Sequence, residues 1–439
     1  MSCRSSVVRV VALLLSVLAG LGGCGGESAS TPAGPEPEPV LFWHSMAGDL
    51  GKSMRKIVDE FNASHPQTPI EPVYQGGYDL LQQKIRTSVV AGSPPVMAQM
   101  YEAWTAYLNR DRGQEAIADL GPHLLEPDFA LDDLFPVLLT DGTFDGEFLA
   151  IPFNKSFPVL YYNKDLFRAA GLDPEKPPAT WAQFAEYGRK LVRDRDGDGR
   201  TDVWGWMFAV DPWLYLCQVL QNGGSFVSED GRSAHLDEAP AIEALQYWID
   251  ATKNPGAFAL RSTEFEPQNE FVAGTVAMLL TSSVSKSFMK PLIRFDMGMA
   301  PIPQGRRKAA ILAGTNVGIF RKASERQRQA AWEFLKFFSN TANTTYWAIK
   351  TNYIPVRRSA LSSKVWKDWV ALDPTAAVPI SQMEYACYEP RYPEWVDCRK
   401  ILMQAMTRSL QEGGNAQARL TEANREINQR LARRLGGAR

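Results

Sequence analysis

Val40-Leu41-Phe42-Trp43, Ile70-Glu71-Pro72-Val73-Tyr74 and Pro95-Val96-Met97-Ala98-Gln99-Met100 are three short apolar runs, and what separates them decides the fold. Runs of this length read as strands. Between the first two, Met54, Ile57, Val58 and Phe61 recur at helical spacing, and Pro66 stops that helix. Between the second and third, Leu81, Ile85 and Val89 share one helical face. Strand and helix therefore alternate, which predicts a mainly parallel α/β sheet covered by helices. In such sheets ligands collect at the C-terminal ends of the strands.

The same reading continues along the chain. Phe144-Asp145-Gly146-Glu147-Phe148 predicts a hairpin whose Asp-Gly pair takes the positive-φ positions. Residues 157–162 predict another strand. Thr180-Trp181-Ala182-Gln183 has the spacing of a capping box, and Trp181, Phe184, Gly188 and Leu191 continue that helix. Amphipathic helices are predicted over residues 327–338 and 416–435, the latter with Leu420, Ile427 and Leu431 on one face.

The 439 residues suggest roughly two or three domains. With 45% hydrophobic and 22% charged residues, the chain can bury a large core, which excludes a mainly disordered protein. A formal charge of -2 excludes a polybasic nucleic-acid surface as the main design. The 12 Trp are more than usual. They fit either a large core or a stacking surface for a ligand.

Residues 1–23 read as a secretory signal. Arg4 and Arg9 flank the start of an apolar run over residues 7–21, too short to span a bilayer. The run ends in Leu21-Gly22-Gly23-Cys24, which resembles a bacterial lipobox. That resemblance implies cleavage before Cys24 and lipidation of its thiol, so that the membrane becomes a partner through the anchor. Residues 24–39 are rich in Gly, Ser, Ala, Thr, Pro and Glu and read as a flexible tether. The folded part would begin near Val40, outside the cytoplasmic membrane. An export compartment permits disulfides. Cys387 with Cys398 is one pairing, and free thiols at Cys217, Cys387 and Cys398 are the alternative.

Enzyme signatures are scarce. The chain has no GxSxG, HExxH, phosphate-loop or dinucleotide glycine motif, and its four histidines show no ligand spacing. A glycan hydrolase built on two facing carboxylates stays open, because such a pair is spatial rather than sequential. No cofactor is required. One metal candidate is the Asp194, Asp196, Asp198, Asp202 loop, whose alternating acids and Gly197 resemble the start of a calcium loop. The glutamate expected at its twelfth position is Gly205, so the ion, if bound, would be structural. The alternative is an Asp/Gly turn after a helix.

Trp43-His44-Ser45-Met46, Pro152-Phe153-Asn154-Lys155-Ser156 and Pro158-Val159-Leu160-Tyr161-Tyr162-Asn163-Lys164-Asp165 resemble the extracellular solute-binding proteins of bacterial ABC importers, family 1. Residues 170–181 add to the likeness. Trp43 to Met46 and Gln99-Met100-Tyr101-Glu102 more specifically resemble the glycerol-3-phosphate-binding branch. The resemblance implies a two-lobed clamp with several hinge crossovers near Ser156 and Ser282. One lobe would comprise residues 40–155 and 283–330, the other 157–281 and 331–439. A ligand gripped by both lobes would bias the closed state that the permease recognises.

The branch's ligand contacts fall on Tyr78, Glu102, Ser156, Trp213, Ser282, Ser283, Gly314, Tyr353 and Arg399. A phosphate would take Arg399, the hydroxyls of Ser156 and Tyr353, and the Gly314 amide. A diol would take Glu102, and Trp213 would cover the apolar edge. The bland alternatives are a core Trp213, helix-capping Ser282 and Ser283, a Glu102 paired with a surface lysine, and a solvated Arg399. The branch's second tryptophan is Val210 here, which leaves glycerol 3-phosphate, a glycerophosphodiester or a sugar as the ligand. A monomer is expected.

Overall fold

In the computed structural model, the residues described are 39–110, 115–228, 231–253, 257–263, 265–412 and 414–436. The signal, Cys24 and nearly all of the tether lie outside them. No helix among the described residues is long and apolar enough to cross a membrane.

Two five-stranded sheets form the frame. The first has the order Ile70–Tyr74, Val40–His44, Met97–Met100, Asn316–Ile319, Ile151–Pro152. Its first three strands are parallel, Val40 opposing Ile70 and Phe42 opposing Met97. They are joined by the helices Gly48–Ser64 and Tyr78–Val90, as the apolar spacing predicts. Asn316–Ile319 then runs antiparallel between Met97–Met100 and Ile151–Pro152.

The second sheet has the order Met297–Pro301, Pro158–Asn163, Val276–Ser282, Trp204–Ala209, Phe258–Arg261. Pro158–Asn163 is buried along its whole length, as a continuous apolar strand must be. Trp181–Leu191 packs on Trp204–Ala209. Pro212–Gln221, Ala239–Thr252, Trp395–Gln411 and Ala416–Gly436 form a helical layer. Most tryptophans went to the cores. Trp206, Trp248, Trp332 and Trp347 are fully enclosed, whereas Trp43, Trp204 and Trp213 are half-buried.

Sheet membership departs from the expected lobe boundaries in two places. Met297–Pro301, expected in the first lobe, hydrogen-bonds antiparallel to Pro158–Asn163 in the second sheet. Glu325–Phe338 and Thr341–Thr351, expected mostly in the second, pack on Gly48–Ser64 beside the first. The reason is aromatic. Phe334 lies 6.1 Å from Phe42, and Phe338 lies 4.9 Å from Phe153, so these helices cover the first core.

The chain passes between sheets through residues 153–157, again between Pro301 and Asn316, and again beyond Thr351. The hairpin forms with Asp145 and Gly146 at positive φ. Thr180 caps its helix through the Gln183 amide, but the Gln183 side chain accepts from Ala179 rather than from Thr180. A full capping box occurs instead at Ser324 and Gln327. Cys217, Cys387 and Cys398 are free thiols, so no Cys387–Cys398 disulfide forms.

Candidate functional site

Strand ends place the first site residues. Tyr78 opens the helix after Ile70–Tyr74, and Glu102 opens Glu102–Arg110 after Met97–Met100. Trp213 lies in the first turn of Pro212–Gln221, after Trp204–Ala209. All three stand at C-terminal ends of strands.

The crossing at residues 154–156 gathers them. The Asn154 Nδ2 donates to the Tyr78 hydroxyl at 3.0 Å and to the Tyr353 hydroxyl at 2.9 Å. The Asn154 Oδ1 accepts from the Thr315 amide at 2.9 Å and its hydroxyl at 2.5 Å. Lys155 sends its ammonium to Glu102 at 2.9 Å, Asp141 at 2.5 Å and the Gly314 carbonyl at 3.2 Å. Ser156 bridges Ala313 through its backbone and accepts a hydrogen bond from the Ser282 hydroxyl at 3.1 Å. Ser283 donates to the Asn352 carbonyl at 3.1 Å. All three residues thus tie the crossing to the 313–315 stretch, and their side chains tie it further to Tyr78 and Tyr353, to Glu102 and Asp141, and to Ser282.

Gly314 is required where it stands. Its φ is +98°, and a Cβ there would come within 1.9 Å of the Asn154 carbonyl oxygen.

A second group meets at Asp211. Its Oδ1 accepts from the Trp213 amide at 2.9 Å and from the Arg399 Nη2 at 3.3 Å. Arg399 also pairs with Glu389 at 3.3 Å. The Trp213 indole donates to the Ile311 carbonyl at 3.0 Å, which holds the ring at the edge of the core. The charge of Arg399 also reaches Tyr101, which packs 5.0 Å from Tyr78 and so links the two groups.

The electrostatics are those of buried polar groups. Burial, then the Asp141 carboxylate, push Glu102 up, to about 7, against the pull of the Lys155 ammonium. Burial raises Tyr78, and raises Tyr101 and Tyr353 further. These phenols stay neutral donors across the physiological range.

Of the nine expected contacts, Tyr78, Glu102, Ser156, Ser282, Ser283, Gly314 and Tyr353 surround the crossing, and Trp213 and Arg399 share Asp211. Tyr353 is more enclosed than a free contact surface would be, stacking on Trp347 at 5.6 Å. The sequence reading did not single out Asn154, Lys155 or Tyr101 as functional, although all three lie in its quoted motifs. It missed Asp141, Asp211 and Glu389 entirely. A lysine inside an apolar strand-entry run was the available signal, since a buried ammonium needs carboxylates.

The acidic loop closes on itself. Oxygens of Asp194, Asp196 and Asp202 lie within 4.8 Å of one another, all exposed or half-exposed. Asp198 is not in that group and instead accepts from the Arg200 amide. Gly205, where a calcium loop would place its last ligand, lies in Trp204–Ala209 against the Gly188 backbone, where no side chain fits.

Known proteins resemble the chain along most of its length. It is 31% identical over 361 residues to the sn-glycerol-3-phosphate-binding periplasmic protein UgpB of Pectobacterium atrosepticum, covering 78% of this chain and 79% of that one. The Escherichia coli K12 UgpB is 29% identical over 360 residues, 78% of this chain and 80% of its own. Among solved structures, Mycobacterium tuberculosis UgpB in complex with glycerophosphocholine superposes with a TM-score of 0.81 at 24% identity, covering 91% of this chain and 99% of that one. The cyclic α-maltosyl-1,6-maltose binding protein of Arthrobacter globiformis gives 0.76 at 24% identity, covering 90% and 99%. The fold is therefore that of periplasmic solute-binding proteins. Such relatives are substrate-binding proteins of ABC importers and not enzymes, which removes the glycan-hydrolase alternative. With residues 56–374 matching the family of bacterial extracellular solute-binding proteins, this chain belongs to that family.

Proposed function

We propose that the chain captures a glycerophosphate, either sn-glycerol 3-phosphate or a glycerophosphodiester, between its two sheets and delivers it to the permease of an ABC importer. The observation that carries this reading is the convergence at one junction of a cation, Arg399, a carboxylate, Glu102, and three phenols, Tyr78, Tyr101 and Tyr353. A phosphate uses the guanidinium and hydroxyl donors, and a glycerol diol uses the carboxylate.

Charge favours the diester. Arg399 already faces Glu389 and Asp211, and Lys155 already faces Glu102 and Asp141. A dianionic monoester meets more carboxylate repulsion there than a singly charged diester. The names of the relatives support both ligands.

A second reading, capture of an oligosaccharide or disaccharide by aromatic stacking, draws on the half-buried Trp43 and Trp213. Calorimetry separates the two. Glycerophosphocholine or glycerol 3-phosphate should bind saturably, with affinity reduced at least about tenfold in Arg399→Ala and Glu102→Gln. Tight binding of maltose with no response to either glycerophosphate would replace the first reading by the second.

Three further expectations stand as proposals. Cys24 carries a lipid anchor, which mass spectrometry of the membrane-extracted protein tests. The protein acts as a monomer, tested by light scattering. Asp194, Asp196 and Asp202 hold a structural calcium, tested by the calcium dependence of the melting temperature.

A further inference from the structure

We propose that Asp141 and Lys155 are positioning residues that set the charge state and aim of the Glu102 carboxylate, and through it the grip of the site on a ligand hydroxyl. The last clause rests on the reading of Glu102 as a ligand contact. The first does not.

The geometry is specific. The Lys155 and Asp141 side chains are fully enclosed, while Glu102 keeps 16% of its side-chain exposure. An ammonium has three hydrogens. Here the three acceptors are Glu102 Oε1, Asp141 Oδ2 and the Gly314 carbonyl. Asp141 is itself fixed, because the Asn316 Nδ2 donates to its Oδ2 at 2.9 Å. The pair therefore forms a rigid base, and Glu102 is the one member of the trio that reaches the junction. Lys155 also sits between Asn154 and Ser156, so the same backbone that spans the two sheets carries the carboxylate's partner.

The charged and titratable groups around Glu102 come from every neighbouring element. Asp141 comes from the helix Pro136–Gly142, Lys155 from the crossing, and Tyr101 from the residue before Glu102. Behind Tyr101 stand Tyr78, Tyr353 and Arg399. Asp141 and Lys155 act in opposite senses. The buried like charge disfavours ionisation of Glu102, and the ammonium favours it. A merely structural pair would change stability in both variants without moving one carboxylate in two directions.

The test uses the mature chain labelled with ¹³C at the glutamate carboxyls. The Glu102 resonance is assigned by its loss in Glu102→Gln, and its titration midpoint is read by NMR. The expected order is Asp141→Asn below wild type and Lys155→Met above it, each separated by about one pH unit, a tenfold change in proton affinity. Should Lys155→Met not fold, Asp141→Asn alone must still titrate below wild type. In the double variant the two opposite influences are both removed, so its midpoint should lie between those of the single variants. Coincident midpoints in Asp141→Asn and wild type overturn the inference.

Calorimetry with glycerophosphocholine forms the second arm. Lys155→Met is expected to weaken binding about tenfold at pH 7, with partial recovery as pH rises. Unchanged affinity would overturn the ligand clause. No binding of either glycerophosphocholine or glycerol 3-phosphate by wild type, with the NMR order intact, would overturn the functional reading and leave the positioning of Glu102 standing.

Discussion

Single residues carry the sharpest consequences. Lys155→Met strands Asp141 as an unpaired buried charge, which costs about 3–5 kcal/mol. Chemical denaturation of that variant should show the loss directly, and a change below about 1 kcal/mol would mean that Asp141 finds another partner. Gly314→Ala is expected to unfold or severely destabilise the chain. Its Cβ has no room beside the Asn154 carbonyl, and its φ is unfavourable for any L side chain. A melting temperature within a few degrees of wild type would contradict that contact.

Glu102 also links folding to pH. In the folded chain it holds its proton up to about 7, against 4.5 in the free side chain. Folding therefore takes up a proton here. This contribution is complete below the unfolded value and is lost as pH rises through the folded one. Denaturation midpoints should fall more steeply over that window in wild type than in Glu102→Gln. Equal slopes would show that Glu102 titrates normally.

The site residues singled out from sequence lie in local motifs, and the structure brings them together. Tyr78 and Glu102 were named through the family resemblance, and each opens a helix after a strand. Their partners were not legible. Asp141 lies 14 residues from Lys155 along the chain, Asp211 lies 188 from Arg399, and Asn154 lies 199 from Tyr353. Nothing in local composition distinguishes those acids from the many on the surface.

At the level of elements, periodicity served well where contacts are sequential. The strand and helix alternation over residues 40–100 appears with Ile70–Tyr74 at its expected bounds. It failed where pairing is distant. Met297–Pro301 reads as a strand of either sheet, and only its register with Pro158–Asn163, Met297 opposite Asn163, decides. Glu325–Phe338 shows an apolar face but not which core that face covers.

The Asp-rich loop shows the same limit. Its acids suggested a calcium loop, but the strand that follows consumes the twelfth position. Gly205→Glu, which restores the ligand in sequence, should therefore destabilise the protein, because a Cβ at that site already meets the Gly188 carbonyl oxygen at 2.2 Å. If Asp194, Asp196 and Asp202 hold calcium, millimolar calcium should raise the melting temperature by a few degrees and a chelator should reverse it. An identical response to magnesium, or none, would count against the site.

For the whole molecule, the decisive feature is that three polypeptide crossings and one network join two sheets. Ligand that touches groups from both sheets binds one relative arrangement better than another, and so shifts the population toward it. Tyr78 and Glu102 follow strands of the first sheet, Trp213 follows a strand of the second and Ser282 ends another, and Gly314 lies in a crossing between them. Small-angle scattering should accordingly report a smaller radius of gyration with ligand than without. No change at saturating ligand would argue against closure as the signal to the permease.

Trp213, hydrogen-bonded to Ile311 and half-buried, offers a second readout of the same event through its fluorescence. Trp213→Phe should abolish most of the ligand-dependent change while keeping the fold.

The decisive experiment is isothermal titration calorimetry of the protein at pH 7.5 against glycerophosphocholine, glycerol 3-phosphate and maltose. Saturable one-to-one binding of a glycerophosphate is expected, the diester at least as tightly as the monoester, with much weaker or no binding of maltose. Saturable binding of maltose with no heat from either glycerophosphate would contradict it.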